Sequence, residues 1–473
     1  MKSDMIEIKA LPGPKGLPLF GNLLAVRLSH IHLDFERWAQ QYGDTFKLRF
    51  GTQWILMCAK PDTLHALLRD RPQRFRRPRV TERITQEMGG LPGVFNAEGE
   101  AWRTQRRMVM AGFAPSTVKN YFPVLQTVAQ RLRTHWGQMA LQGQVIDLSK
   151  DLKHYAGDIV ANLAFGQDLN SLDTGRSSLQ THIDTVLAGV SRRSFSLFPY
   201  WRYLRLPQDR RLERSVAALR EQTLSIIATA RRAMAQQPAL FDQPQNLLQA
   251  MIVAAAQEGS GIDDDTLAGN VSTLLIAGED TTSHSLAWAL DLLAQNPAVL
   301  AKATQQVRAH LPPNAQCADY SIQLIDGMEY LDACIQEAMR LKPVGPFIPL
   351  EAVHDTVVEN VRVPKGTVMM CLMRVAGLQV EHVQQALDFK PERWLADNPP
   401  DKRLSSPFGS GPRMCPGRYL ALLEMKVALV MLLSQFDILC VNNGQGTPTQ
   451  ELMGFVMSPV NLTMRLKLKT SDT

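Results

Sequence analysis

The chain has 473 residues, 45% hydrophobic and 20% charged, which is enough apolar material for a large buried core and excludes a mainly disordered chain. Its net charge of +6 admits acidic partners, but the basic residues are scattered except at Arg69–Arg79 and Arg103–Arg107, no aromatics are spaced to stack on bases, and no nucleic-acid binding is expected. The six cysteines (Cys58, Cys317, Cys334, Cys371, Cys415 and Cys440) show no CxxC or paired spacing, which argues against a disulfide framework and points to a reducing compartment.

The N-terminus mixes charged and apolar residues and reaches the stiff turn Leu11-Pro-Gly-Pro-Lys-Gly-Leu-Pro within a dozen positions, so it does not read as a secretory leader. Phe46–Phe50 and Trp54–Cys58 alternate on either side of Gly51-Thr52, predicting an antiparallel hairpin. The basic clusters at 69–79 and 103–107 read as solvated faces. Helical periodicity then dominates, over Ser116–Met139, Leu212–Met234, Asp265–Gln295, Met328–Leu341 and Arg418–Phe436. Thr356–Val363 and, after Pro-Lys-Gly-Thr, Val368–Leu372 read as short strands.

The breaks at Arg205–Arg214, Gln236–Asn246, Leu311–Ser321, Ala396–Ser406 and Asn442–Glu451 are short. Residues 1–473 are therefore expected to form a single domain, mainly α with a small β-rich lobe. The longest charge-free runs, such as Thr266–Gly278, fall short of the roughly 20 residues a transmembrane helix needs. The expectation is a cytoplasmic protein without a membrane anchor.

The densest chemical signal is Phe408-Gly-Ser-Gly-Pro-Arg-Met-Cys-Pro-Gly417, which runs into the helix at Arg418. Glycine and proline make a tight loop and set the thiol of Cys415 near a helix N-terminus, where amide N–H groups favour the thiolate that binds metal. A buried cysteine in a Gly/Pro turn is the plainer alternative. A single thiolate does not suit structural zinc, which takes four Cys or His ligands, but it suits a metal that brings its own equatorial ligands, as haem does. The loop resembles the F-x-x-G-x-R-x-C-x-G signature of the cytochrome P-450 family at every fixed position. That resemblance implies the P-450 fold, haem b as cofactor, and Cys415 as axial iron ligand, with Phe408, Arg413 and Gly417 around the haem.

The predicted helix over 265–295 contains Ala277-Gly-Glu-Asp-Thr-Thr282. At about 100° per residue Ala277 and Thr281 share a face, Asp280 lies about 60° away, and Glu279 points nearly opposite. Ala277 and Gly278 are small enough for a flat macrocycle to cross the helix there. The run resembles the family's A/G-G-x-D/E-T-T/S motif, which implies that Thr281 hydrogen-bonds dioxygen and Asp280 gates protons towards it. The alternative is a Thr back-bond that merely bends the helix.

Three further motifs support the resemblance. Glu337-Ala-Met-Arg340 sets two charges at i,i+3 on one helical face, a common pairing, and Pro391-Glu-Arg-Trp394 resembles the family's P-E-R-F segment with Trp in place of Phe; the resemblance implies a structural triad of Glu337, Arg340 and Arg393. Trp102 and Arg106, four apart on one helical face, are implied haem-propionate contacts together with Arg413, although a lone Trp there would be an ordinary core anchor. One family position that often carries a propionate Arg holds Leu350 instead, and the usual His-Arg-Asp-Pro run is replaced by Met373-Arg-Val-Ala-Gly-Leu378.

The implied reaction inserts one atom of dioxygen into an apolar small molecule such as a fatty acid, terpenoid or steroid-like compound. About sixty residues follow Cys415, too few for a flavin or iron–sulfur domain. The expected electron source is therefore an external ferredoxin or flavodoxin with its reductase, docking near Arg103, Arg107 and Arg418 on a monomer. A peroxide-driven peroxygenase and a non-enzymatic haem-thiolate sensor or carrier are the competing readings; the first typically replaces the acid-Thr pair by Arg-Pro. Candidate walls of the substrate pocket are Val94, Phe95, Ala277, Phe347, Ile348, Phe455 and Val456.

Overall fold

A computed structural model of the chain describes residues 5–469 apart from 176–177, 195, 197, 313 and 445. The first four positions of the N-terminal reading, and single positions in the 311–321 and 442–451 breaks, lie outside the described residues. Helices dominate, and the longest, Asp264–Gln295, runs through the middle of the fold. Its start follows from the sequence: Asp263 accepts a hydrogen bond from the Thr266 amide at 2.7 Å, and Asp264 and Asp265 sit in the first turn where the dipole favours acids. Helix Leu148–Phe165 packs along it, capped by Asp147 at one end and by left-handed Gly166 at the other.

The β-rich lobe holds a five-stranded sheet in the order Thr45–Phe50, Gln53–Cys58, Val368–Cys371, Ile348–Ala352, Phe75–Arg76. The predicted hairpin is its first pair, in the register Phe46 to Met57 and Leu48 to Ile55, so alternate side chains turn into one apolar cluster with Phe35 and Trp38. Leu350 is fully buried in a central strand, opposite Met369. A smaller C-terminal hairpin pairs Glu451–Met453 with Met457–Pro459.

Two boundaries differ from the sequence reading. The expected 116–139 helix is two helices, Pro115–Asn120 and Phe122–Leu141, because Pro123 has no amide to continue the ladder and starts a new first turn. The 205–214 break is instead largely helical: Pro207 opens a helix reaching Gln236, and Asp209 accepts from the Leu206 amide at 3.2 Å. Charged residues concealed this start, since Arg210, Arg211 and Arg214 lie on its solvent face. No helix among the described residues is long and apolar enough to cross a membrane.

Candidate functional site

The cysteine loop folds back on itself through the Cys415 amide, which donates to the Phe408 carbonyl at 3.0 Å. Gly409 and Gly411 both have left-handed φ angles, 69° and 71°, and a methyl at Gly411 would lie 2.7 Å from the Leu68 carbonyl oxygen. The loop ends where helix Arg418–Gln435 begins, with Gly417 as its N-cap. Burial pushes the Cys415 thiol up, while a hydrogen bond from the Gly417 amide and the positive charge of Arg106 pull it down. Cys58, Cys317, Cys334 and Cys371 are buried thiols, raised by desolvation. Cys415 lines a large cavity.

That cavity has a volume of about 930 Å³. Val94, Phe95, Ala277, Phe347, Ile348, Phe455 and Val456 all line it, so residues up to 362 positions apart (94 to 456) share one chamber with Cys415. Phe95 and Phe455 approach to 6.1 Å between ring centroids across it. Trp102, Arg106, Phe408, Arg413 and Gly417 line the same chamber.

The charged groups at its edge were only partly expected. Arg413 pairs with Glu98 at 2.5 Å, donates to the Ala97 carbonyl at 2.7 Å, and lies over the Trp102 ring at 4.5 Å. Its Nε and Nη1 are buried without a partner, and burial lowers its pKa to about 10 against the opposing pull of Glu98. Arg106 donates to the Met414 carbonyl at 2.7 Å, beside the cysteine. The stretch read as a solvated face supplies two more cavity-lining guanidiniums. Arg71 is 3% exposed with Nε and Nη2 unpartnered, and Arg77, over the Phe95 ring at 3.5 Å, has a buried unpartnered Nε. The basic cluster is therefore not uniformly a solvated face: the sheet edge at Phe75–Arg76, paired with Ala352–Glu351, turns part of it inward.

Buried unpaired guanidinium donors are costly unless an anion meets them. Five such nitrogens beside a single thiol and an apolar chamber form a donor set that fits a haem: the thiolate would hold iron, the apolar walls the macrocycle, and the arginines two propionates. Leu350, packed in the sheet core, cannot contribute, whereas Arg71 and Arg77 can. Sequence reasoning missed them because nothing in an Arg-rich run marks which members turn inward.

The long central helix divides two environments. Ala277, Thr281 and Ser285 line the large chamber. Asp280 and His284 instead border a second cavity of about 560 Å³, shared with Lys153, Asp184 and Arg192. Asp280 pairs with Lys153 at 2.6 Å, and Lys153 also reaches Asp184 at 3.6 Å. The Thr281 hydroxyl donates to the Ala277 carbonyl at 2.6 Å, the local back-bond that competes with any catalytic use. Gly278 borders the chamber, and a methyl there would fall 2.5 Å from Val160 Cγ2, so its smallness also serves packing against helix Leu148–Phe165. Glu279, pointing away as the helical wheel predicts, is buried near Gly157.

Glu337, Arg340 and Arg393 meet in one ionic cluster. Arg340 holds Glu337 through Nε and Nη2 at 2.8 and 2.7 Å, and Arg393 Nε adds a contact at 2.8 Å. Trp394, in the position of the usual Phe, donates its indole N–H to Glu337 at 2.9 Å.

A family profile for cytochrome P450 matches residues 11–466. Among curated proteins, the chain is 27% identical to cytochrome P450 3A15 of Cavia porcellus, over 90% of this chain and 85% of that protein. It is also 27% identical to the self-sufficient cytochrome P450 monooxygenase CYP505AG1 of Oidiodendron maius, over 98% of this chain but 42% of that longer protein. In three dimensions the chain superposes on the crystal structure of the cytochrome P450DA heme domain with a TM-score of 0.85, 99% coverage of both chains and 22% identity.

Proposed function

Because the chain belongs to the cytochrome P450 family, an oxidoreductase family with haem b as cofactor, we propose that it is a monooxygenase placing one oxygen atom on an apolar small molecule. A fatty acid, terpenoid or steroid-like compound fits a chamber walled by Val94, Phe95, Ile348, Phe455 and Val456. Haem b bound through sulfur supplies dioxygen activation, for which a thiolate ligand favours O–O cleavage.

The protein's own groups then divide the work. Cys415 provides the thiolate, which the Gly417 amide and Arg106 stabilise. Arg71, Arg77 and Arg413 offer their free donors to the propionates, with Trp102 beneath Arg413 as a cation–π support. Thr281 presents its hydroxyl at the chamber wall, and Asp280, held by Lys153 on the other side of the helix, passes protons from the polar cavity towards it. The aromatic and aliphatic walls exclude bulk water from the reacting centre.

Electrons come, in this reading, from a separate ferredoxin or flavodoxin with its reductase, docking where Arg103, Arg107 and Arg418 are exposed around the cysteine loop. The observation that carries the proposal is the shared chamber: a lone thiol, a threonine on the central helix and a rim of unsatisfied guanidiniums face one apolar space. It is tested by reducing the purified protein under carbon monoxide. The thiolate-type Soret band is expected, and Cys415→Ser should abolish it. A haem-replete protein without that band, or a serine variant that keeps it, overturns the proposal.

A further inference from the structure

The C-terminal hairpin reaches the chamber only at its tip: Met453, Gly454, Phe455 and Val456 line the cavity, while Glu451 at the base does not. The Glu451 carboxylate is buried and gathers groups from three separate segments. His32, in helix Ile31–Tyr42, donates from Nε2 at 2.7 Å. Arg374 grips both carboxylate oxygens, at 2.9 and 3.1 Å, and Lys342, just past helix Glu329–Leu341, contacts one of them. Arg374 also holds Glu36 at 2.8 and 2.7 Å. Two cations thus face two carboxylates, with His32 as an added donor, and these interactions hold Glu451 well below the usual carboxylate range despite its burial.

The base has further ties. The Met457 amide donates to the Val344 carbonyl at 2.8 Å, Trp288 of the central helix donates to the Met457 carbonyl at 3.4 Å, and Lys342 lies over the Trp288 ring at 4.9 Å. The tip closes on its own Gly454-to-Val456 hydrogen bond and presents Phe455 to Phe95 across the chamber. A bidentate guanidinium–carboxylate pair fixes direction as well as distance. Phe455 and Val456 lie four and five residues along the chain from Glu451, at the tip of the two-stranded ribbon it anchors.

We propose that Glu451 is a positioning residue for ligand selection. Its ionic cluster sets how far Phe455 and Val456 project into the chamber, and hence which ligands fit, without Glu451 touching the ligand. This rests on the chamber being the haem and substrate site, so its test carries an internal check of that premise.

Ferric holoprotein is titrated spectrally with imidazole, which needs only the iron, and with clotrimazole, which must also occupy the space under the hairpin tip. In Glu451→Gln, clotrimazole affinity is expected to fall about 10-fold while imidazole affinity stays within about 2-fold. Amide exchange at Leu452 and Met453 should rise in parallel. Equal losses for both azoles, or no loss for either, overturn the proposal. Absence of imidazole binding or of the thiolate–carbon monoxide band in the unmutated protein would instead overturn the haem reading. Should Glu451→Gln fail to retain haem, Lys342→Met removes a more exposed partner and should show the same split at about 3-fold; an even response there overturns the proposal too.

Discussion

Two clusters of buried guanidiniums, each built around one glutamate, differ in a way that separates scaffolding from binding. Around Glu337, Arg340 spends its remaining donors on the carbonyls of Gly377, Ala386 and Asp388, and Arg393 on those of Gln384 and Gln385. Around Glu98, Arg413 has one pair and one carbonyl, Arg77 offers its backbone amide at 3.0 Å, and five guanidinium nitrogens of Arg71, Arg77 and Arg413 stay buried without partners. The first cluster is complete within the chain. The second leaves five donors for a group from outside the chain, and an anion is the partner that would also meet their charge.

Breaking the first cluster should have the largest effect. Glu337→Gln leaves buried Arg340 and half-buried Arg393 without their counter-charge and should cost about 3–5 kcal/mol in urea unfolding. A variant with unaltered stability would show that the backbone carbonyls alone neutralise Arg340.

A third way to keep an ionisable group inside sharpens the contrast: His284 gives up its charge. Burial lowers its pKa to about 4; Asp280 and Asp184 oppose this, and Lys153 reinforces it. The folded-state value lies below the ordinary 6.5, so the unfolded chain binds the extra proton first. The stability is fully present above pH 6.5 and is lost as pH falls towards 4. Between pH 6.5 and 5 His284 should account for about 2 kcal/mol of acid destabilisation, which His284→Gln should remove from the measured pH profile. Parallel profiles for the two proteins would refute this.

The second cluster should respond most gently and in a different observable. Arg71→Gln or Arg77→Gln should leave the apoprotein as stable as before or more so, because an uncompensated buried charge is removed. Haem transfer to apomyoglobin should nevertheless become about 10-fold faster, roughly 1.4 kcal/mol of binding. Slower unfolding of the apoprotein with unchanged haem transfer would mean that these arginines are not anchors, and a loss of apoprotein stability comparable to Glu337→Gln would erase the distinction between the clusters.

What was legible in advance was what is local. The cysteine loop is ten consecutive residues whose glycines and prolines dictate its turn, and the Ala277, Thr281 and Asp280 directions follow from helical geometry alone. The mainly α fold with a small β lobe was likewise carried by periodicity. Gly278 shows the limit: its small size was readable, but its neighbour, Val160 on another helix, was not. Charge in a helix start also misled, since the solvent face of Pro207–Gln236 looked like loop.

The sequence by itself determined the cysteine loop, the threonine helix and the i,i+3 pairing of Glu337 with Arg340, because each is encoded by short-range spacing; Arg393 joined that pair only through the family resemblance. Only the tertiary structure decided that Arg71 and Arg77 turn inward where Leu350 offers nothing, that Asp280 and Thr281 face different cavities, and that Glu451 is clasped by His32 and Arg374 from across the chain. The physical reason is that burial and pairing of a charge depend on what other segments bring to it, and no local pattern records the partner's position.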